Sequence, residues 1–277
     1  GIELDGPGVI AHSVNIFFRT PDLVSLHDKG WAKFYRLIDE TGCWAELIAI
    51  DGIELWRLTV FHEFSSGTDA EAYLRKAMGR DFPFEIIDAS PWERRDYVAR
   101  HYGEGRVFIA GDAAHQNSPT GGLGMHTGVG EAGNLAWKLA AILDGWGGPE
   151  LLSTYESECR PIAARNVELS TAAFRHITSI PGAGDAHGVL EDNDPKLDSL
   201  TISEQTRTQY CYESSPICVA DGTPPPPDTG RFIASARPGT RAPHAWINTE
   251  TSILDRFGDG FVLLRLGDAP PDCAAIK

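Results

Sequence analysis

The residues best suited to chemistry lie between positions 105 and 144, where a glycine-rich loop separates an apolar run from a helix-like pattern. Asp112 ends the apolar run and can accept hydrogen bonds from hydroxyl groups. The loop that follows contains Gly121, Gly122 and Gly124, which allow a ligand close to the backbone. A helix starting near Met125 would add free N–H groups and a partial positive charge. The segment predicts a site for an anionic or polar cofactor.

Four apolar runs before this segment predict an antiparallel sheet. Val14, Ile16 and Phe18 recur at every second position within the first run, and the turn Asp51-Gly52 favours a hairpin through positive φ at both positions. A short helix is predicted over 69–79, capped by Thr68 and ended by Gly79, and short extended pieces over 84–101. The predicted strands are 9–19, 33–38, 43–50 and 53–64.

A buried strand over 105–112 and two helices complete the predicted body. The first helix, 125–143, carries an apolar stripe with steps of three and four residues, and Trp137 and Lys138 lie off it as structural or peripheral residues. The second, 149–176, has Pro149 in its first turn and Pro161 where the helix should kink or divide. The stripe consists of Met125, Val129, Ala132, Ala136, Leu139 and Leu143.

Composition narrows the classes of partner. The chain has 277 residues and a net charge of −15, so its surface should repel nucleic-acid phosphate and anionic lipid. No apolar run approaches the ~18 residues that span a membrane. The five cysteines are odd in number and widely spaced, without a CxxC pair, which indicates free thiols in a cytoplasmic protein and no metal site.

Residues 181–230 are rich in Gly, Asp and Pro and predict an extended connector with a polyproline stretch at 224–227. A new pattern begins at 231 and includes an apolar run at 261–266 that predicts a buried strand. Because one strand and a few turns cannot make a domain, we expect the C-terminal part to be cut short or to dock on the main body.

Three strings resemble the second FAD motif of the single-component flavoprotein aromatic hydroxylases, the phenol hydroxylase and p-hydroxybenzoate hydroxylase type. They are Gly105-Arg-Val-Phe-Ile-Ala-Gly-Asp-Ala-Ala-His115, Pro119-Thr-Gly-Gly-Leu-Gly-Met125 and Asn134-Leu-Ala-Trp-Lys-Leu139. Residues 151–161 resemble the next helix of that family. The segments 235–244 and 255–261 resemble the start of the thioredoxin-like C-terminal domain of the phenol-hydroxylase branch.

This resemblance implies an α+β chain that forms part of an α/β FAD-binding fold. Its expected parts are a substrate-covering β-sheet domain at 1–103 and the second half of the FAD-binding domain at 104–180. A linker at 181–230 and the truncated start of a thioredoxin-like domain at 231–277 would follow.

The resemblance also implies roles for matching residues. Asp112 would hold a ribityl hydroxyl of FAD, Pro119 would lie beside the reactive edge of the flavin, and the backbone of Gly124, Met125 and His126 would face its pyrimidine side. Pro119 and His126 are the predicted catalytic residues. The cofactor-binding set is Gly111, Asp112, Pro119, Gly121, Gly122, Gly124, Met125 and His126.

The implied activity is FAD- and NAD(P)H-dependent hydroxylation of a phenolic or polyketide aromatic substrate with O₂, through a flavin hydroperoxide. Trp56 and Tyr35 are the predicted substrate contacts, with Arg57 and Phe61 as further candidates, although aromatic residues on a sheet are more often core. Two alternatives stay open. One is another flavin oxygenation, such as epoxidation or a Baeyer–Villiger reaction, and the other is a non-catalytic fragment that acts as a binding or dimerisation module.

Two departures from the family pattern bear on these expectations. His126 stands where the family usually has Asn. No strand–GxGxxG–helix unit and no Asp-Gly motif in a context suited to the FAD pyrophosphate precedes residue 105, and Gly6-Pro7-Gly8 lacks the flanking strand and helix. We therefore expect this chain alone to bind FAD poorly, with a homodimer partner or a second chain as a source of the other half.

Four polar residues are interpreted structurally. His115 is predicted to be a packed, hydrogen-bonded histidine rather than a base. Arg36, Glu156 and Glu158 are predicted to lie on the solvated surface.

Overall fold

A computed structural model of the chain describes residues 1–61, 69–180, 210–213, 215–225, 232–258 and 260–264. The described residues form two compact units. The first holds the residues up to 180 together with 215–217, and the second holds 210–213 and the residues from 218 onward. The predicted cap Thr68 and the connector segments 181–209 and 226–230 lie outside the described residues.

Six of the eight strands among the described residues form one antiparallel sheet in the order β2-β3-β4-β1-β5-β8, which confirms the predicted antiparallel sheet. In the part of the chain that the structure describes, the short strands β6 and β7 pair only with each other. The strands are β1 Leu4–Arg19, β2 Phe34–Asp39, β3 Gly42–Ala49, β4 Leu55–Val60, β5 Glu85–Ala99, β6 Gly103–Glu104, β7 Val107–Phe108 and β8 His115–Gln116.

Strand β5 was predicted as several short pieces but is one strand of 15 residues. Its partner β1 has 16 residues and pairs with it along almost its whole length. Three register shifts, between Asp5 and Gly8, between Val9 and Ala11, and between Phe17 and Phe18, absorb the irregularities. Bulges of this kind let a long antiparallel pair twist without separating.

The main core lies on one face of the sheet. Val14, Ile16 and Phe18 alternate onto this face as predicted, and each is at most 2% exposed. Helix α1, Ala70–Met78, contributes the buried Leu74 to the same core. The Asp69 side chain caps α1 by accepting the Ala72 N–H at 3.0 Å, and the helix ends at Gly79 with φ 64, as predicted.

The predicted hairpin at Asp51-Gly52 joins β3 to β4, but its turn chemistry differs from the prediction. Only Gly52 has a positive φ, of 76°. The Asp51 carboxylate instead accepts the backbone N–H groups of Ile53, Glu54 and Leu55. These hydrogen bonds from successive N–H groups stabilise the turn, so Asp51 does not need the left-handed conformation that a two-residue turn would require.

The predicted buried strand at 105–112 is wrong in extent and burial. Only β7 is extended there, and Val107 is 63% exposed. Residues Gly111–Ala113 form a turn of 3₁₀-helix. An apolar strand is buried only where neighbouring strands or helices cover it, and within the described residues β7 pairs with β6 alone.

Helix α2, Leu123–Leu143, begins two residues earlier than predicted, directly after Gly122 in the left-handed conformation. The second predicted helix consists of a 3₁₀ turn, Pro149–Leu152, and helix α3, Ser153–Thr178. Pro161 does not divide α3, contrary to one of the two predicted outcomes. Helix α3 packs against both α2 and β5. This packing keeps the helix continuous although Pro161 lacks the backbone N–H donor of a helical hydrogen bond.

The predicted apolar stripe of α2 does not face the core. Met125 is 73% exposed, Val129 66% and Leu143 84%, and Ala132 and Ala136 are exposed as well. A second set of residues, also spaced by three and four, is buried instead, and it is largely polar. The buried residues of α2 are Leu123, Thr127, Glu131, Asn134, Lys138 and Ala141.

The second unit contains little regular structure among its described residues. Its Cys211 pairs with Thr240 through an isolated β-bridge, and a 3₁₀ turn, Ile253–Arg256, begins with a capping box formed by Ser252. The described part of the predicted strand at 261–266, residues 261–264, is not extended into a sheet, and Phe261 is 78% exposed. None of the helices described in either unit is long and apolar enough to cross a membrane.

Candidate cofactor site

A cleft of about 1520 Å³ opens between the sheet and the start of α2 in the first unit. The sheet contributes Ser13, Phe34 and Trp92 to its walls. Gly111 and Gly121 do not line the cleft but lie next in sequence to residues that do. Six of the eight predicted cofactor residues line it, namely Asp112, Pro119, Gly122, Gly124, Met125 and His126.

The loop before α2 exposes the start of the helix to the cleft. Gly121 and Gly122 have φ of 86° and 68°, a conformation that favours glycine and turns the chain directly into the helix. No side chain of the described residues caps α2, and its first turn contains no acidic residue. The N–H groups of the first turn and the positive end of the helix dipole are therefore available to a ligand with oxygen acceptors or negative charge.

Glu131 fixes the turn that carries Asp112. Its side chain is 2% exposed, and its Oε2 accepts the Gly111 N–H at 2.7 Å. His115 Nε2 lies 3.2 Å from the same oxygen, which confirms the prediction of a packed, hydrogen-bonded histidine. A Cβ at Gly128 would lie 3.1 Å from the Gly111 Cα, so the backbone of α2 packs directly against the turn at Gly111.

The surroundings of Glu131 keep two neighbouring phenols neutral. Burial, with a further contribution from the Glu131 charge, raises the pKa of Tyr102 and of Tyr155 well above the usual range. Burial also raises the pKa of the Cys159 thiol to about 12. These groups therefore stay protonated at physiological pH and form an uncharged packing layer behind the site.

Arg94 ties the sheet to the loop that contains Pro119. Its Nε donates to Ser13 Oγ at 3.3 Å and its Nη1 to Ser118 Oγ at 3.1 Å. Ser118 Oγ in turn donates to Thr120 Oγ1 at 3.0 Å. Burial lowers the pKa of Arg94 to about 10, so the guanidinium is still charged at neutral pH. The loop is thereby held on both sides of Pro119.

A buried ion pair locks α2 to α3. Lys138 Nζ lies 2.6 Å from Glu158 Oε2, and the two side chains are 0% and 2% exposed. Asn134 donates to the same oxygen at 2.5 Å, and Ser215 donates to Glu158 Oε1 at 2.5 Å. The prediction that Glu158 lies on the surface was wrong, because these three donors compensate its removal from water.

The predictions for Arg36, Glu156 and Lys138 also differ from the structure. Lys138 was interpreted as structural or peripheral, and the pairing above shows that it is structural and fully buried. Arg36 is partly buried, with 30% of its side chain exposed, beside Glu46. Glu156 is partly buried too, and its Oε2 accepts the Tyr102 N–H at 2.9 Å.

The structure does not bring the predicted substrate contacts Trp56 and Tyr35 to the cleft. Trp56 is 1% exposed within the core on the opposite face of the sheet. Tyr35 packs against that core, and its hydroxyl donates to Gly30 O at 2.6 Å. Alternation along a strand sends neighbouring residues to opposite faces, so Phe34 lines the cleft in place of Tyr35.

Comparison with known proteins identifies the family. Residues 1–170 match the family model described as FAD binding domain. The chain is 35% identical to a putative polyketide hydroxylase of Streptomyces halstedii, over 97% of this chain and 49% of that protein. It is 33% identical to 4-methyl-5-nitrocatechol 5-monooxygenase of a Burkholderia species, over 95% and 50%. The chain therefore belongs to the FAD-dependent aromatic hydroxylase family, as its motifs predicted.

A solved structure supports the same assignment. The rebeccamycin biosynthetic enzyme RebC with reduced flavin aligns with a TM-score of 0.81 and 36% identity, over 96% of this chain and 52% of that chain. This likeness confirms the predicted α+β architecture. The chain spans about half the length of the relatives that it matches.

The residues at the cleft fit FAD. No described residue bonds to the Asp112 carboxylate, so it can accept hydroxyl groups from a ligand. A Cβ at Gly124 would lie 3.0 Å from Asn117 Oδ1, so the backbone packs closely against this side chain at the wall of the cleft. The uncapped start of α2 supplies donors for a polar, electron-accepting ring.

Proposed function

We propose that the full-length protein is an FAD- and NAD(P)H-dependent monooxygenase that hydroxylates a phenolic or polyketide aromatic substrate. The observation that carries this proposal is the cleft. It combines a hydroxyl acceptor, Asp112, and an uncapped helix start with a wall that contains Phe34 and Trp92. The names of the polyketide hydroxylase and nitrocatechol monooxygenase relatives support an aromatic substrate.

In this proposal Asp112 accepts hydrogen bonds from the ribityl chain of FAD. The backbone N–H groups from Gly124 to His126 contact the pyrimidine side of the flavin ring, and the α2 dipole stabilises negative charge there. Glu131 keeps Asp112 in place through Gly111. When bound and reduced by NAD(P)H, FAD supplies the activation of O₂ and the transfer of one oxygen atom.

Four side chains act on the reacting end of the cleft. Pro119, held by the Arg94 and Ser118 contacts, limits how close solvent comes to the flavin edge. Phe34 and Trp92 present apolar surface to the aromatic ring of the substrate. His126 projects from the first turn of α2 and is exposed in the cleft, where it can hold or transfer a proton.

The reaction itself tests the proposal. The purified full-length protein with FAD should oxidise NADH or NADPH faster when an accepted phenol is present. With ¹⁸O₂, mass spectrometry should find one labelled oxygen in a ring-hydroxylated product and the second in water. A labelled epoxide or ester would show another flavin oxygenation. Products without label from a panel of phenols and polyketide aromatics would contradict the monooxygenase assignment.

A further inference from the structure

Helix α3 carries two buried polar residues that the cofactor site described above does not include. Asn166 and Ser170 lie one turn apart on the same face of the helix and are 2% and 0% exposed. Among the described residues that line the cleft, none belongs to α3. Burial of an amide and a hydroxyl costs free energy unless both are hydrogen-bonded, so their partners identify the role of this face.

Asn166 holds the first turn of α2. Its Nδ2 donates to Thr127 Oγ1 at 2.8 Å, and Thr127 Oγ1 donates to the Leu123 O, also at 2.8 Å. Arg165 donates to the Asn166 amide oxygen at 3.3 Å, which leaves the amide nitrogen for Thr127. Thr127 is buried, and the residues Gly124 to His126 that precede it line the cleft. The hydrogen bond therefore fixes the turn whose N–H groups are available to a ligand.

Ser170 holds the loop that leads into the same turn. Asn117, which lines the cleft, donates from Nδ2 to Ser170 Oγ at 3.2 Å and to the Ser118 O at 3.1 Å. The Asn117 Oδ1 lies 3.0 Å from the place that a Cβ at Gly124 would occupy, so Asn117 packs against the start of α2. A displaced Asn117 would therefore also change the position of the backbone at Gly124.

Further hydrogen bonds anchor α3 itself, so that it can hold the loop and the turn in place. Thr171 Oγ1 donates to the buried carboxylate of Asp96 on β5. Tyr155 Oη donates to the Ile109 O at 2.9 Å. The helix is therefore fixed both to the sheet and to the segment that leads into the 3₁₀ turn of Asp112.

We infer that Asn166 and Ser170 are positioning residues for the flavin, which hold the first turn of α2 and Asn117 in place although neither lines the cleft. This inference rests on the proposed function, because it extends the cofactor site of the same cleft to α3. The charge at a helix terminus acts strongly only within the first turn, so a small displacement of that turn weakens its effect on a ligand. The two residues therefore set the affinity for FAD and the preference for its reduced, negatively charged form.

Titration of FAD into the full-length variants, followed by visible absorbance and flavin fluorescence, tests the inference. Asn166→Leu replaces the amide by an apolar side chain of the same branched shape and should weaken FAD binding roughly 3- to 10-fold. Ser170→Ala is the smaller change, should weaken binding about two- to fivefold, and covers the case in which Asn166→Leu folds poorly. The ratio of the affinities for reduced and oxidised FAD, obtained from the midpoint potentials of bound and free FAD, should fall about two- to fivefold.

A double-mutant cycle separates positioning from a general loss of packing. Thr127→Val removes the acceptor of the Asn166 hydrogen bond, so in that background Asn166→Leu should weaken FAD binding by no more than about twofold. Thr154→Val is the matched control, because Thr154 is a buried threonine at the other end of α3 whose hydroxyl donates to the Leu151 O at 2.7 Å. It should lower thermal stability without a change in FAD affinity or midpoint potential.

Wild-type FAD affinity and midpoint potential in folded Asn166→Leu and Ser170→Ala overturn the inference. So does a loss of affinity in Thr154→Val as large as that in Asn166→Leu, or an equal effect of Asn166→Leu with and without Thr127→Val.

Hydroxylation of the phenol panel is measured on the same samples. If wild type binds FAD and the α3 variants weaken that binding, but no phenol is hydroxylated, the inference stands and the proposed function fails. If wild type hydroxylates a phenol and the α3 variants bind FAD as wild type does, the proposed function stands and the inference fails. Absence of FAD binding in wild type contradicts both.

Discussion

Lys138→Met is expected to lower the free energy of unfolding by roughly 3–5 kcal/mol, because it leaves Glu158 charged, buried and without its cation. Asn134 and Ser215 would still donate to Glu158, but they carry no compensating charge. Urea denaturation followed by circular dichroism measures the change.

The exposed pair between Lys76 and Asp39 provides the matched control. Lys76→Met removes an ion pair of similar length, 2.7 Å, from a solvated position and should cost about 1 kcal/mol or less. The double variant Lys138→Met with Glu158→Met should recover much of the lost stability, since it removes both buried charges. A loss for Lys138→Met no larger than that for Lys76→Met would show that the pair is not buried as described.

Glu131→Leu is expected to weaken FAD binding by roughly 10- to 100-fold, because Gly111 loses a hydrogen bond to a charged acceptor. The effect acts through the position of Asp112, so Glu131 is a positioning residue. Glu131→Gln keeps a side-chain acceptor of nearly the same shape and should lose clearly less affinity. Flavin fluorescence titration of the folded variants measures the dissociation constant.

Glu104→Leu is the control for Glu131→Leu, because Glu104 is exposed on β6 and forms no part of the turn. It should leave FAD affinity unchanged. Thermal unfolding is recorded alongside, so that a general loss of structure is separated from a misplaced turn. FAD affinity equal to wild type in folded Glu131→Leu would contradict the positioning role.

The core face of β1 was predictable because its core residues recur at every second position. Val14, Ile16 and Phe18 pack on one face as their spacing indicates, and the flanking turns end the strands near the predicted positions. The length of β5 was not predictable in this way. Its sequence alternates weakly around Pro91, and only the long partner β1 shows that the pieces are one strand.

The inward face of α2 could not be chosen from hydrophobicity alone. Met125 and Val129 define the apolar stripe, yet the buried face contains Glu131 and Lys138. Both sets have helical spacing. What decides between them is the set of partners on α3 and on the Gly111 turn, which only the fold supplies. The spacing of seven residues between Glu131 and Lys138 places both on one face of a helix, and this spacing was the sign of the buried polar face that the sequence contained.

The cofactor loop was predicted from its glycines and Asp112 together with the resemblance of the whole motif to the family, and the structure places six of the eight predicted residues at one cleft. Their roles toward the cofactor stay predictions. The substrate contacts were not. Trp56 and Tyr35 were chosen for residue type, and strand alternation turns them into the core. Arg57, the neighbour of Trp56, lies on the other face of the sheet, so one position of register decides which side chain is buried in the core.

Titration of FAD into the full-length protein, for wild type, Asp112→Ala and Asp144→Ala, tests the central claim most directly. Visible absorbance and flavin fluorescence should show one FAD bound per chain in wild type. Asp112→Ala should bind roughly 10- to 100-fold more weakly, since a charge-assisted hydrogen bond to the cofactor is lost, while Asp144→Ala at the exposed end of α2 should match wild type. Absence of FAD binding in wild type, or equal affinity in Asp112→Ala, would contradict a cofactor site at this cleft.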